Sequence, residues 1–424
     1  MPHSKRPIHP AWLILAVAFL AVILPAAIRG LLSILAVPLE SEFGWGRWVV
    51  SAAAGTSMLL FGILGPFVAA AVDRYGGRRV MVAGLVLLVA STAVAPWVRD
   101  PWGFILLWGV MGGLGSGLLG IVFGASVVDR WFAKRRGLAM GILSAAIATA
   151  QLVVLPPAAL LVHAYGWRAG AIVAALLASV VLTAALLWMR NRPGDVGLGR
   201  YGESAEATQS QPARMGALPV LREVIGRPAF WMLAFPFFVC GLTTGGLIAV
   251  HLVPASLEHG MPEMASVMLL STIGIFDFVG SLSSGWLSDR WNNAHLLGAY
   301  YGIRGLSLLA LPAALNAGAP AMVIFTLVYG LGWVATVPPT ARLCTALFGA
   351  RGPVVFGWVY AVHQVGAAVA ALGAGVVRDA TGSYSPAFMA AAIMALGAAA
   401  MSLSIRVPAA TANPAPAPIA SEAA

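Results

Sequence analysis

Apolar runs of about 20 residues recur along the whole chain, each long enough to cross a hydrocarbon layer of roughly 30 Å. We place them at 12–38, 48–72, 80–98, 102–128, 137–163, 168–189, 229–257, 264–288, 295–316, 319–346, 353–377 and 384–406. Two polar stretches interrupt this pattern. Residues 190–228 carry Arg192, Asp195, Glu203, Glu206 and Gln209 and read as a central linker. Residues 407–424 are rich in Pro, Ala and Ser and read as a disordered tail. The pattern predicts an all-α integral membrane protein of twelve transmembrane helices, with one six-helix bundle over 1–189 and a second over 229–406. Lys5 and Arg6 precede the first run and no small-residue cleavage site closes it, so that span is expected to be retained.

Composition sharpens this picture. The chain of 424 residues is 60% hydrophobic and only 9% charged, against roughly 25% charged in soluble proteins. So few charges cannot cover a water-exposed surface. The 48 glycines and 27 prolines would break soluble helices but are tolerated in membrane ones. Cys240 and Cys344 both lie inside apolar runs, so neither a metal site nor a disulfide framework is expected. No nucleophile–base pair or nucleotide loop stands out, which argues against an enzyme and against a cofactor.

The net charge of +10 is a topology signal, not a nucleic-acid footprint. With twelve spans, the termini and the linker share one side. That side holds 19 of the 25 lysines and arginines, the opposite side holds Arg47, Arg99, Arg168 and Arg378, and Arg29 and Arg304 remain inside spans. The positive-inside rule places both termini in the cytoplasm.

An internal repeat supports two related halves. Asp73-Arg74 ends the second span and Asp289-Arg290 ends the eighth, an offset of 216 residues. The same offset aligns Val37-Pro38 with Val253-Pro254, Phe132 with Phe348, Arg135 with Arg351, Gly141 with Gly357, and Gly166 with Gly382. Repeats of this kind place a solute site near the midplane between halves that rock against each other.

The loop Asp73-Arg74-Tyr75-Gly76-Gly77-Arg78-Arg79 sets one carboxylate among three guanidiniums at a glycine turn. It resembles the signature loop between the second and third helices of the major facilitator superfamily. There such a carboxylate is expected to pair with a basic loop or a helix N-terminus and latch the cytoplasmic side. The expected gate comprises Asp73, Arg74, Gly76, Arg78 and Arg79, the degenerate copy Asp289-Arg290, and Arg136. The segments Arg130 to Ala139, Phe43-Gly44-Trp45, Phe356 to Gly366 and Asp379 to Tyr384 resemble bacterial members of the monocarboxylate and oxalate/formate branch. That resemblance implies a multi-pass protein of the bacterial inner membrane, acting as a monomer on a small organic anion. The chain departs from the animal carriers on the eighth helix. They have an Asp followed four residues later by an Arg, whereas here Asp277 is followed by Ser281.

Ionisable groups inside a membrane are costly and therefore functional candidates. Asp277 lies 12 residues before Asp289, roughly 18 Å from the cytoplasmic boundary at about 1.5 Å per residue. Arg304 reaches a similar depth, so the two are readable as a buried ion pair, or Asp277 as a proton carrier. Arg29 has no acidic partner at its depth and would hold a substrate carboxylate through its guanidinium fork, or else bind backbone carbonyls. His363, followed by Gln364, is a second proton candidate. Tyr329 and Trp333, one turn apart, and Gln151 are candidate cavity groups, with simple packing the competing reading.

These readings favour transport of a small monocarboxylate, with or without a coupled proton. Efflux of hydrophobic or cationic compounds is the alternative, disfavoured because Asp277, the only deep acid, faces two arginines. A transporter-like sensor would need a soluble domain larger than the linker or the tail.

Overall fold

The computed structural model describes residues 9–45, 48–203 and 216–406. The tail, Lys5, Arg6, Arg47 and the middle of the linker lie outside the described residues. Within them the chain is helical, with a single isolated bridge between Phe132 and Tyr201. The membrane helices are α1 (Pro10–Phe43), α2 (Trp48–Tyr75), α3 (Gly77–Trp97), α4 (Pro101–Trp131), α5 (Arg136–Tyr165), α6 (Trp167–Trp188), α7 (Pro228–Glu258), α8 (Glu263–Ser288) and α9 (Asn293–Ala317). They continue with α10 in two pieces (Ala319–Leu331 and Val337–Phe348), α11 (Gly352–Thr381) and α12 (Ser385–Leu403).

Among the described residues, length and apolar composition mark 11 runs as able to cross a membrane. One of them, Val337–Arg378, joins the second piece of α10 to α11, and the first piece is too short to span alone. Taking α10 as one interrupted span gives the twelve helices of two six-helix bundles.

The interruption of α10 corrects the continuous run expected over 319–346. Residues 332–336 are non-helical turns. In the first half α4 breaks too, at Leu119 and Gly120. The repeat offset carries these two residues onto Ala335 and Thr336, so the breaks are equivalent. Irregular backbone at membrane depth is tolerated only where protein or a cavity satisfies it. Wide π-type turns occur at Ile105–Met111 in α4, Ala150–Val154 in α5 and Leu242–Ile248 in α7.

The two ends of the linker dock on different helices. Tyr201 bonds Trp131, Ala133 and Lys134 through its backbone, and its ring meets Trp12 at 5.5 Å. A short helix, Ala217–Val224, buries Ala217, Val220 and Val224. It is held to α11 by Trp358 Nε1 donating to the Ala217 carbonyl at 3.0 Å and by an Arg351–Glu223 pair at 3.0 Å. The face bearing the linker is called the linker face below.

On that face the halves meet along two glycine seams. Gly137 and Gly141 of α5 lie backbone to backbone on Ser281 and Gly285 of α8, and Gly65 and Pro66 of α2 on Gly357 of α11. Neither seam has room for a Cβ at these glycines, so the helices approach more closely than side chains would permit. On the opposite face Arg168 and Trp167 bind Glu42, with Arg168 Nη2 at 2.6 Å and Trp167 Nε1 at 2.7 Å. The Arg168 hydrogen bond is the main cause that holds the Glu42 carboxyl below the usual carboxylate range.

Candidate functional site

Between the halves, above the glycine seams, one layer of rings and one cation come together. Arg29 of α1 lies with Cζ 4.2 Å from the centroid of Phe61 on α2. Its Nη1 is buried without a hydrogen-bond partner, and no ion pair reaches it among the described residues. Across the interface Phe61 meets Tyr360 of α11 edge-on at 6.0 Å. Tyr360 and His363, one helical turn apart, stack at 5.4 Å with planes only 6° apart. Phe237 of α7 closes the layer on His363 at 4.9 Å. His363 Nδ1 and Gln364 Oε1 are 3.0 Å apart, and the Gln364 side chain lies against Gly62 of α2. Helices from both halves therefore meet around a guanidinium that has one buried nitrogen without a hydrogen-bond partner. Gln151 is exposed on the wide turn of α5, its amide oxygen beside Gly274 of α8. It also faces the other half.

The remaining deep charges serve α10. Asp277 and Arg304 are both 2% exposed, but they do not form the direct ion pair that their depths suggested. Asp277 Oδ1 accepts from the Val334 N–H at 3.0 Å and from Ser281 Oγ at 3.1 Å. Arg304 donates to the carbonyls of Gly332 and Trp333, the latter at 2.9 Å, and to Thr243 Oγ1 at 3.3 Å. The two charges grip the freed donors and acceptors of the interrupted backbone from either side. Close passage of Gly280 against the Leu331 carbonyl, and of Gly330 against α8, brings Asp277 within reach.

Tyr329 is a correction. It is 1% exposed, and its hydroxyl donates to the Thr243 carbonyl at 2.9 Å, so it braces the core of the second half and is no second donor beside Arg29. Trp333 stands half-buried in the break, 5.8 Å from the Tyr329 ring.

This arrangement predicts the outcome of mutation. Arg304→Met leaves the Gly332 and Trp333 carbonyls without their donor, a loss of about 1–3 kcal/mol for each buried group left unsatisfied. Asp277→Asn keeps an oxygen for the Val334 N–H and should unfold much closer to wild type. Thermal unfolding of the purified variants checks both. Recovery of stability in the Asp277→Asn, Arg304→Met double variant would show direct pairing instead.

On the linker face the latch is asymmetric. Asp73 is bound within its own half, to Arg130 at 2.5 Å. Asp289 crosses between halves. Its two oxygens accept the Gly137 and Leu138 N–H groups at 2.8 Å each, at the start of α5, and it pairs with Arg342 of α10. A carboxylate on a helix N-terminus is favoured by the dipole and by charge-assisted hydrogen bonds. The repeat offset shows why Asp73 cannot repeat both of these contacts. It maps Gly137 onto Pro353, which has no N–H to give.

Of the other gate residues, Arg136 pairs with Asp129 at 3.2 Å and donates to the Phe132 carbonyl at 2.6 Å. Arg78 donates to the Leu186 carbonyl at 2.5 Å. Gly76, at φ +89°, makes the tight turn against Asn191. Arg74 lies over Tyr75 at 5.3 Å, Arg290 over Trp286 at 3.9 Å, and Arg79 is exposed. A cavity of about 530 Å³ opens between Arg136 and Arg342.

Residues 17–371 match the family model described as Major Facilitator Superfamily. The MFS-type transporter YcxA of Bacillus subtilis is 27% identical over 389 residues, covering 88% of this chain and 90% of that one. Monocarboxylate transporter 13 of Rattus norvegicus is 27% identical over 357 residues, covering 83% and 78%. Among solved structures, the transporter FucP in the outward conformation superposes with a TM-score of 0.71 at 15% identity, covering 93% of this chain and 99% of that one. The human organic anion transporter MFSD10 superposes with a TM-score of 0.72 at 16% identity, covering 93% and 100%.

Proposed function

Because this chain belongs to the Major Facilitator Superfamily, we propose that it moves a small organic monocarboxylate across a bacterial inner membrane by alternating access, as a monomer. The observation that carries this reading is Arg29. A guanidinium nitrogen buried without a partner is expensive, and a carboxylate would satisfy it through the fork geometry that Arg favours. The similarity to monocarboxylate transporter 13 points the same way. Asp277 does not offer a cation site, because its charge is committed to the α10 break. That removes the main support for export of cationic compounds.

In this reading the linker face is closed, and rocking would separate Asp289 from α5. The basic excess on the linker face puts it in the cytoplasm. A reporter fused after Ala424 and active only outside the cell would overturn that orientation. We assign any coupled proton to His363 and not to Asp277. His363→Gln should then slow proton-coupled uptake more than exchange of the acid at fixed pH.

The test of the carboxylate reading is thermal unfolding of the purified protein with acids and their primary amides. A ligand of the folded state raises apparent stability by mass action. Some acids should raise the midpoint and their amides should not. Equal shifts from an acid and its amide would refute the carboxylate reading.

A further inference from the structure

The ring layer around Arg29 bears on which acid is held, an inference that rests on the carboxylate reading above. We propose that the preferred substrate is a planar aromatic monocarboxylate of the benzoate class, and not a short aliphatic or amino acid. Arg29 lies against the face of Phe61 at 4.2 Å. A carboxylate that takes the fork accepts in the plane of the guanidinium, which sets the acid beside this ring layer. That layer continues through Tyr360 and His363, stacked within 6° of parallel, to Phe237.

The layer is mostly ring surface, with the His363–Gln364 contact at its edge. His363 Nδ1 and Gln364 Oε1 already face each other at 3.0 Å. No carboxylate approaches Arg29 among the described residues, so an α-ammonium group would lack a counter-charge. An aromatic body gains on two counts, since it covers apolar area and meets rings edge-on or offset. Acetate would fill the fork and leave the rings bare.

Calorimetric titration of the purified full-length protein with benzoate, cyclohexanecarboxylate, acetate and benzamide tests this. Cyclohexanecarboxylate has nearly the size of benzoate without its π face. Benzoate should bind about three- to tenfold more tightly than cyclohexanecarboxylate, and at least about 30-fold more tightly than acetate. Phe61→Leu should bring the benzoate-to-cyclohexanecarboxylate ratio close to one while both acids still bind. Equal affinities for benzoate and cyclohexanecarboxylate in the wild type, or for benzoate and acetate, would overturn the aromatic assignment and leave the carboxylate reading standing. Binding of benzamide as tight as benzoate would remove the carboxylate reading itself. The wild-type comparison needs no variant, so it decides the matter even if Phe61→Leu does not fold.

Discussion

Replacing Arg29 by Gln should weaken binding of the transported acid by about 100-fold or more. A hydrogen bond to a charged group contributes about 1.5–3 kcal/mol, and the fork supplies two of them. Every 1.4 kcal/mol is about tenfold in affinity. Arg29→Lys should fall between wild type and Gln, because the charge survives and the bidentate geometry does not. Stability without ligand should respond in the opposite sense to an ordinary buried polar residue. Arg29 Nη1 has no internal partner, so removing the guanidinium relieves a desolvation cost and the unfolding temperature should stay level or rise. Calorimetry and thermal unfolding on the same preparations separate the two effects. A drop of several degrees with unchanged acid affinity would make Arg29 a structural residue.

Asp289→Asn should open the linker face, and Asp73→Asn should not. Asp289 is the carboxylate that joins the halves, through two N–H groups of α5 and through Arg342. Loss of its charge should weaken linker-face closure by roughly 2–3 kcal/mol. That shift is enough to bring a state populated about 99:1 close to parity. Asp73 pairs within its own half, so its neutralisation should lower stability without moving the balance of states. Spin labels at Lys134 and His295 lie on opposite halves of this face. Their distance distribution should gain a longer component in Asp289→Asn alone. An equal change in both variants, or none in Asp289→Asn, would contradict the asymmetric latch.

The twelve-span pattern, the repeat and the lack of an acidic partner for Arg29 were legible because each follows from local composition or from one register of spacing. The α10 break was hidden because its residues, from Gly332 to Thr336, are as apolar as the helix around them. Only the convergence of Asp277 and Arg304 on their backbone reveals it. Matching depth suggested that those two charges pair, but depth says nothing about rotation around a helix axis. The same limit misplaced Tyr329, whose spacing to Trp333 was correct but whose face turns into the core. Phe61, Phe237 and Tyr360 passed as ordinary apolar residues, since a ring's role beside Arg29 depends on three other helices. The reversal between Asp73 and Asp289 had a readable cause in Pro353, visible once the repeat offset is carried through to α11.

The most direct test is counterflow in proteoliposomes. Vesicles holding the purified protein are loaded with unlabelled benzoate and diluted into a trace of labelled benzoate. Transient accumulation of label in wild-type vesicles, absent in Arg29→Gln vesicles with equal reconstituted protein, is the predicted result. Accumulation that persists undiminished in Arg29→Gln would contradict a carboxylate pathway through the Arg29 layer, and none in the wild type would contradict benzoate as the acid carried.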